Sequence, residues 1–142
     1  MEHIREAALT DKESIYKLIT VLEAAEIDAE SFSDIYNANL VNPFVFYFIY
    51  EKEDKVLGFI SVHIQKLLHH TANIAEIQEF IVDETVRQQG IGKRLFEKAK
   101  EVSIENGCVQ LEVCCNQKRV PSHKFYLAQE MVNSHYKFCL PL

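Results

Sequence analysis

The sequence predicts an α/β (α+β) fold in which a mixed central sheet of six to seven strands is flanked by about four helices. Runs of β-branched and aromatic residues alternate with segments whose apolar residues recur every three or four positions. Over residues 76–93, a strand-like run, a glycine-containing loop and the start of a helix follow one another. Of the 142 residues, 48% are hydrophobic, so we expect a single domain, residues 1–142, with one core.

The N-terminal part is predicted to contain one strand and two helices. Residues 2–8 alternate weakly between apolar and polar and are predicted as the first strand. Thr10 and Glu13 have the spacing of a capping box, which predicts the start of a helix. A second helix is predicted over about residues 29–40, because Pro43 disfavours helical geometry in the residue before it.

The middle of the chain is predicted to form a hairpin, a central strand and a long helix. Residues 44–50 and 55–65 are aromatic and β-branched runs separated by four charged residues, which predicts a hairpin. Residues 76–83 have the composition of a central strand. The helix that follows ends at Asn106–Gly107, and its apolar stripe consists of Ile91, Leu95, Ala99 and Val102.

Three further elements complete the prediction. Residues 108–115 are predicted as a fifth strand, because Val109, Leu111 and Val113 share one face. A short helix is predicted around residues 122–129, and residues 136–140 are predicted as a closing strand. An exposed terminal strand can pair with a second copy, so a homodimer is also expected.

Composition excludes several classes of function. The formal net charge of −6 argues against a nucleic-acid binder, which needs a basic face. No apolar stretch has the length of a membrane span, and the N-terminus lacks the apolar core of a signal peptide. The four cysteines form no CxxC pair and are expected to be reduced, mostly structural thiols. We therefore expect a cytoplasmic protein without nucleic-acid or membrane partners.

The loop before the long helix has the properties of a phosphate-binding loop. A helix N-terminus offers unpaired N–H groups and a partial positive charge. Spacing excludes a Walker A loop, which needs Ser or Thr where Arg94 stands, and a dinucleotide fingerprint, which needs glycine where Leu95 stands. The alternative is a turn that uses two glycines only for its geometry. The loop consists of Arg87, Gln88, Gln89, Gly90, Ile91, Gly92 and Lys93.

This Arg-x-x-Gly-x-Gly loop, directly after a Val-Asp strand end, resembles the acetyl-CoA pyrophosphate loop of GCN5-related N-acetyltransferases (GNAT). Asn116 with Phe125 and Tyr126, nine and ten residues later, resembles the second motif of that family. The resemblance implies the GNAT acyltransferase fold and acetyl-CoA as co-substrate. It also implies cofactor contacts from the loop, from Asn116 and Phe125, and from the preceding strand end, Phe80, Ile81 and Val82.

Two residues are candidates for catalysis. Strand alternation predicts that Glu76 and Glu79 point to opposite faces, with Glu76 on the face of Gln78, Phe80 and Val82. Glu76 is the candidate general base, acting directly or through a water; the alternative is a carboxylate paired with a neighbouring strand. The resemblance implies that Tyr126 is the general acid facing the CoA sulfur; the alternative is a tyrosine packed on its helix.

Glu130 departs from the GNAT pattern, which has glycine near this position. We expect either a different turn geometry or a strained backbone there. A covalent route through Cys114 or Cys115 lacks a histidine placed to activate either thiol. No His-x-x-x-His or His/Cys quartet indicates a metal site, so no metal ligand is assigned.

A closer resemblance, along nearly the whole chain, is to the aminoalkylphosphonate N-acetyltransferases. It is carried by Tyr36–Leu40 before Pro43, His63-x-Gln65 with Leu68–His70, Glu76–Glu79, His123-x-Phe125-Tyr126-Leu127 and Ser134–His135. It implies acetylation of the primary amine of a small aminoalkylphosphonate, with a divalent metal as a further cofactor. His69 and His70 are the candidate substrate-binding residues, with Lys66 and Arg119 as further partners for the phosphonate. The alternatives are a protein, peptide or other small-amine acetyltransferase, and an inactive acetyl-CoA-binding regulatory module.

Overall fold

The computed structural model describes all 142 residues, in two compact units, Met1–Glu112 and Val113–Leu142. The helices and strands are β1 (Glu2–Glu6), a 3₁₀ turn (Leu9–Asp11), α1 (Lys12–Glu23), α2 (Ala29–Leu40), β2 (Val45–Lys52), β3 (Lys55–Leu67), β4 (Ala72–Val82), a second 3₁₀ turn (Glu84–Val86), α3 (Ile91–Glu105), β5 (Cys108–Val113) and α4 (Val120–Ala128). No helix is both long and apolar enough to cross a membrane. The expectation of one domain over residues 1–142 stays a prediction.

The α+β class is confirmed, with five strands in the order β1-β2-β3-β4-β5 and four helices. The three pairings among β1 to β4 are antiparallel. The sixth strand predicted over residues 136–140 is wrong, because residues 131–142 form no regular structure. Tyr136, Phe138 and Leu140 alternate like strand residues, but a strand also needs a neighbour to complete its hydrogen bonds. The homodimer stays a prediction.

Helices cover both faces of the sheet. On one face, α1 and α2 bury a cluster that includes Ile15, Ile19 and Tyr36 against Ile49 and Phe59. The other face carries α3: Leu95 lies so close to Gly58 that an added Cβ there would be 3.0 Å from Leu95 Cδ1. The same helix places Arg94 over the ring of Tyr50 and Lys98 over that of Phe48. Side chains alternate along β2, so Ile49 faces α1 and α2, whereas its neighbours Phe48 and Tyr50 face α3.

A β-bulge interrupts the alternation of β4. Val62 pairs with Ile77, but Ile60 pairs with Phe80, so two residues of β4, Gln78 and Glu79, face the single residue Ser61. A bulge of this kind shifts the phase of every residue beyond it. Face assignments made by simple alternation therefore fail on one side of the bulge.

An ion-pair network ties the N-terminal segments together. Arg5 donates two hydrogen bonds to Asp11, at 2.8 and 2.9 Å, and contacts Glu51 on β2. Asp11 also accepts from the Ala8 amide at 2.7 Å, and Tyr36 donates to the Ala8 carbonyl at 2.6 Å. The predicted Thr10 capping box is wrong: the residue before α1 is Asp11, and its carboxylate bonds backwards to Ala8.

The other predicted elements are confirmed. The helix over residues 29–40 begins at Asp28, whose side chain accepts from the Ser31 amide. Glu53 and Asp54 form the turn of the predicted hairpin, and both have positive φ angles. Gly107 follows the long helix with a φ of +72°. A positive φ costs other residues more than it costs glycine, which explains glycine at this helix end.

We expect Asp11→Asn to lower the free energy of unfolding by about 2 kcal/mol at pH 7. The reason is that Arg5 loses the carboxylate that accepts two hydrogen bonds from its guanidinium group. Arg5 holds the pKa of Asp11 below its ordinary value. The stabilisation is therefore complete above about pH 4 and is lost as the pH falls through the folded-state pKa. Urea denaturation at pH 7 and at pH 3 measures both values.

The matched control is Glu13→Gln, which removes an exposed carboxylate that pairs with Lys17 at 3.7 Å. Exposed pairs of this kind contribute less than about 0.5 kcal/mol. If Asp11→Asn were as stable as this control at pH 7, the network would not hold the N-terminal segments.

Candidate active site

The loop between β4 and α3 is fixed by hydrogen bonds that its own side chains make to nearby backbone, and by one backbone bond to β3. Asp83 accepts from the Thr85 amide at 2.9 Å and donates its own amide to the Leu57 carbonyl at 2.8 Å. Arg87 Nε donates to the Val82 carbonyl at 2.9 Å. These contacts hold the segment that carries the predicted phosphate loop.

The loop ends in a helix start that has no side-chain cap. Gly90 precedes α3 with a φ of +80°, and no side chain accepts a hydrogen bond from the first turn of the helix. An added Cβ at Gly90 would have no atom within 4 Å, so this position faces open space. The first N–H groups of α3 are thus free to bind an anion such as a phosphate.

The residues predicted to bind the cofactor are partly brought together. Arg87 to Lys93 form one continuous turn and helix start. Phe80 and Val82, which pair with Ile60 and Gly58, lie on the sheet face that α3 covers. Ile81 is only 6% exposed and belongs to the core under α1 and α2. Contact between Ile81 and a ligand would have to use its backbone.

The bulge moves the two strand carboxylates to one face. Glu76 pairs with His63, which shares a face with Ser61, and Glu79 bonds to Ser61. The expectation that Glu76 and Glu79 point to opposite faces is wrong. Glu76 also does not share a face with Phe80. The only signal in the sequence was the consecutive polar pair Gln78–Glu79 inside a strand of alternating residues.

Ser61 fixes Glu79 through both its backbone and its side chain. The Ser61 hydroxyl accepts from the Glu79 amide at 2.9 Å and donates to Glu79 Oε1 at 2.5 Å. Ser61 itself is fully buried. Sequence reasoning missed this serine, because its role depends on the bulge opposite it.

A cavity of about 510 Å³ lies between α1, α2 and the sheet. Aromatic side chains form much of its wall, in a chain of rings with centroids 5.3 to 6.0 Å apart: Phe32, Tyr36, Tyr47 and Phe59. A cavity of this size and apolar character is typical of small-molecule sites.

The charged residues of the cavity are all acidic. Glu79 lines it from the sheet, and Glu23 and Asp28 line it from α1 and the start of α2; no lysine, arginine or histidine takes part. Tyr47 accepts from the Asn39 amide nitrogen at 2.6 Å. Burial raises the pKa of Tyr47, and the negative charge of Glu79 raises it further. The cavity is therefore an apolar site with negative charge.

His69 and His70, the predicted substrate residues, lie in the turn between β3 and β4, with ring centroids 4.3 Å apart. β3 continues to Leu67, six residues beyond Ser61. At about 3.3 Å per strand residue, this turn is roughly 20 Å from the bulge. The structure does not bring the two histidines together with Glu79.

The second unit contains the other predicted catalytic residue. Asn116 shapes the segment before α4: its side chain accepts from the Lys118 amide, and its carbonyl accepts from His123 Nε2 at 2.8 Å. On α4, the Phe125 and Tyr126 rings meet edge to face, 5.6 Å apart. Burial, aided by Cys115, raises the pKa of Tyr126 to about 12, although Arg119 opposes the shift. Glu130 has a φ of +66°, which confirms the strained turn.

Neither a metal site nor a disulfide is formed. No group of three or more His, Cys, Asp or Glu side chains is arranged to hold a metal ion, so the residues present do not fit a divalent metal. All four cysteines are free, and Cys114 and Cys139 are exposed.

Comparisons with known proteins bear on the fold and the site. A model of the acetyltransferase (GNAT) family matches residues 9–130. The aminoalkylphosphonate N-acetyltransferase of Salmonella typhimurium (strain LT2) is 38% identical over 135 residues, which is 95% of this chain and 88% of that protein.

Two solved structures share the fold at low identity. A transcriptional regulator from Bacillus halodurans C-125 has a TM-score of 0.91 at 19% identity and covers both chains completely. An aminoglycoside N-acetyltransferase in complex with CoA has a TM-score of 0.90 at 16% identity, over all of this chain and 95% of the other.

The resemblance that the loop and the Asn116 motif indicated is thereby confirmed. The chain belongs to the acetyltransferase (GNAT) family and is an acetyl-CoA-dependent N-acetyltransferase.

Proposed function

We propose that this protein transfers the acetyl group of acetyl-CoA to the primary amine of a small aminoalkylphosphonate, by direct attack in a ternary complex. The observation that carries the proposal is the likeness to the aminoalkylphosphonate N-acetyltransferase of Salmonella typhimurium along nearly the whole chain. The volume of the cavity, about 510 Å³, also favours a small acceptor over a peptide.

The reaction needs two proton transfers. The amine nitrogen attacks the thioester carbonyl carbon, the carbon–sulfur bond breaks, and the nitrogen loses one proton while the sulfur gains one. We assign the acceptance of the amine proton to Glu76, which is half-buried and on the face of α1 and α2. Tyr126 supplies the proton or hydrogen bond to the departing sulfur and regains its proton from solvent.

Tyr126 is suited to the role of donor. A phenol whose pKa is raised to about 12 stays protonated throughout the neutral and mildly basic range. Burial also raises the pKa of the Cys115 thiol, which reduces the thiolate that a covalent route would need. Direct transfer is therefore favoured over an acetyl-cysteine intermediate.

We propose that the loop Arg87–Lys93 holds the pyrophosphate of acetyl-CoA. The uncapped N–H groups of α3 and the open space around Gly90 support this assignment. Phe80, Ile81 and Val82 precede the loop on β4, where backbone and side chains can contact the rest of the cofactor. Asn116 and Phe125 complete the proposed set.

Binding of the phosphonate by His69 and His70 stays a prediction with a geometric difficulty. Glu76, the proposed base, pairs with His63, so about 13 Å of strand separates it from this turn, and the bulge is roughly 20 Å away. Lys66, near the same turn, bonds to Asn73 at 3.3 Å and lies over the Phe44 ring. A small aminoalkylphosphonate whose amine lay at the bulge would therefore not reach these groups.

Gly90→Ala is expected to raise the KM for acetyl-CoA about tenfold or more, because alanine disfavours the left-handed backbone that sets the loop. Gly107→Ala is the matched control. It changes the glycine at the other end of α3, which also has a positive φ and open space around its Cβ position.

Both variants should lose about 1 kcal/mol of unfolding free energy, since the backbone cost is the same. Steady-state kinetics with varied acetyl-CoA separates them. An equal KM for the two variants would show that the loop does not bind the cofactor.

Glu76→Gln and Tyr126→Phe are each expected to lower kcat about 100-fold or more, with little change in the KM for acetyl-CoA. Because the pKa of Tyr126 is about 12, this residue keeps its proton at every pH below about 11. In that range, deprotonation of Tyr126 should therefore not lower the rate of the wild-type enzyme. A pH–rate profile from pH 6 to 10 checks this.

The matched controls are Glu97→Gln, an exposed carboxylate on α3, and Tyr136→Phe, a tyrosine that is 85% exposed. Both should keep wild-type rates. Near wild-type rates in Glu76→Gln and Tyr126→Phe as well would rule out the proposed base and acid.

The acceptor is tested by release of free CoA thiol from acetyl-CoA with aminoalkylphosphonates, polyamines and short peptides, each with and without divalent metal. We expect turnover confined to the aminoalkylphosphonates. Turnover only on polyamines or peptides would reject the acceptor class, and binding of acetyl-CoA without any turnover would reject the enzyme.

A further inference from the structure

The cavity between α1, α2 and the sheet has a composition that suits an organic cation. Its wall includes the rings of Tyr36, Tyr47 and Phe59, and aromatic rings attract ammonium groups but not anions. Its charged groups are carboxylates, with Glu79 on the side of the sheet. A phosphonate would meet carboxylates and no cationic side chain there, whereas an alkylammonium would meet groups of opposite charge.

Glu79 is held in an orientation that leaves it available to a ligand. The Ser61 hydroxyl occupies Oε1, and its bond with the Glu79 amide fixes the bulge from which the side chain leaves the strand. Oε2 makes no hydrogen bond within the protein and can accept one from a bound ammonium group. Because Ser61 is fully buried, water does not compete for these two bonds.

We propose that this cavity binds the ammonium end of the acceptor, with Glu79 as its anionic partner and Ser61 as the residue that positions Glu79. The proposal rests on the acetylation of a small amine proposed above and identifies which end of the acceptor the cavity takes. The anionic end of the acceptor then points out of the cavity. The proton that the ammonium loses before attack passes to Glu76, as assigned above.

The first experiment measures binding without turnover. Butyltrimethylammonium carries a permanent positive charge and cannot be acetylated, and butylphosphonate is the matched anion. We expect calorimetry to show binding of the cation to the wild-type protein and no binding of the anion in this cavity. Glu79→Gln should weaken cation binding about 10- to 100-fold, because the ligand loses a charged partner.

Ser61→Ala should weaken cation binding about tenfold while leaving the KM for acetyl-CoA unchanged. A general loss of structure would instead change both quantities. Ser61→Cys, which is closer in volume, serves if the alanine variant does not fold. The controls are Ser103→Ala, another buried serine, which bonds to the Ala99 carbonyl on α3, and Glu105→Gln, an exposed carboxylate. Both should bind the cation as the wild-type protein does.

The second experiment compares two acceptors with the same alkyl chain, an aminoalkylphosphonate and the plain alkylamine. Glu79→Gln should raise the KM of both by the same factor, because the deleted contact is to the group that they share. If the variant instead improved the aminoalkylphosphonate relative to the plain amine, Glu79 would face the anionic end and the proposal would be overturned.

Failure of this inference differs from failure of the proposed function. Turnover of aminoalkylphosphonates with unchanged KM and unchanged cation binding in Glu79→Gln would overturn the inference alone. Cation binding that depends on Glu79, without turnover of any aminoalkylphosphonate, would reject that acceptor class and support the ammonium site.

Discussion

The β-bulge that places Gln78 and Glu79 opposite Ser61 is the constraint on which the candidate site depends. Phe80 lies on the face that α3 covers, and simple alternation back from it would place Glu76 on that face too, opposite Glu79. The Ser61 hydroxyl stabilises the bulge by bonding to both the amide and the carboxylate of Glu79. One buried hydroxyl thus stabilises the bulge that brings both carboxylates to the face of α1 and α2.

The two faces of the sheet also differ in how closely the helices pack on them. Under α3 the contact is dense, and the approach of Leu95 to Gly58 leaves no room for a larger residue. Under α1 and α2, the helices pack on the sheet through Ile15, Ile19 and Tyr36 but leave a cavity beside them. Close packing on one face supports the strands, so the other face can keep an open site without loss of the sheet.

β4 links this site to the proposed cofactor loop. The strand carries Glu76 and Glu79 and then ends at Val82, after which Asp83 and Arg87 fix the turn that leads into α3. Because these residues are few and sequential, a rigid strand sets the distance between the carboxylates and the uncapped helix start. This arrangement fits an enzyme that must hold a phosphate-containing cofactor and an amine in one complex.

The sequence by itself determined the α+β class, the glycine-containing loop before α3, the departure from the GNAT pattern at Glu130 and the GNAT resemblance. These features depend on local properties: periodicity, glycine geometry and motif spacing. Tertiary structure alone decided that Glu76 and Glu79 share a face, and it alone decided the role of Ser61 and the ring-lined cavity. A bulge changes side-chain direction without changing composition, so alternation assigned Glu76 and Glu79 to opposite faces. The tail residues Tyr136 to Leu140 show the same limit, because a strand pattern becomes a strand only where a neighbour completes its hydrogen bonds.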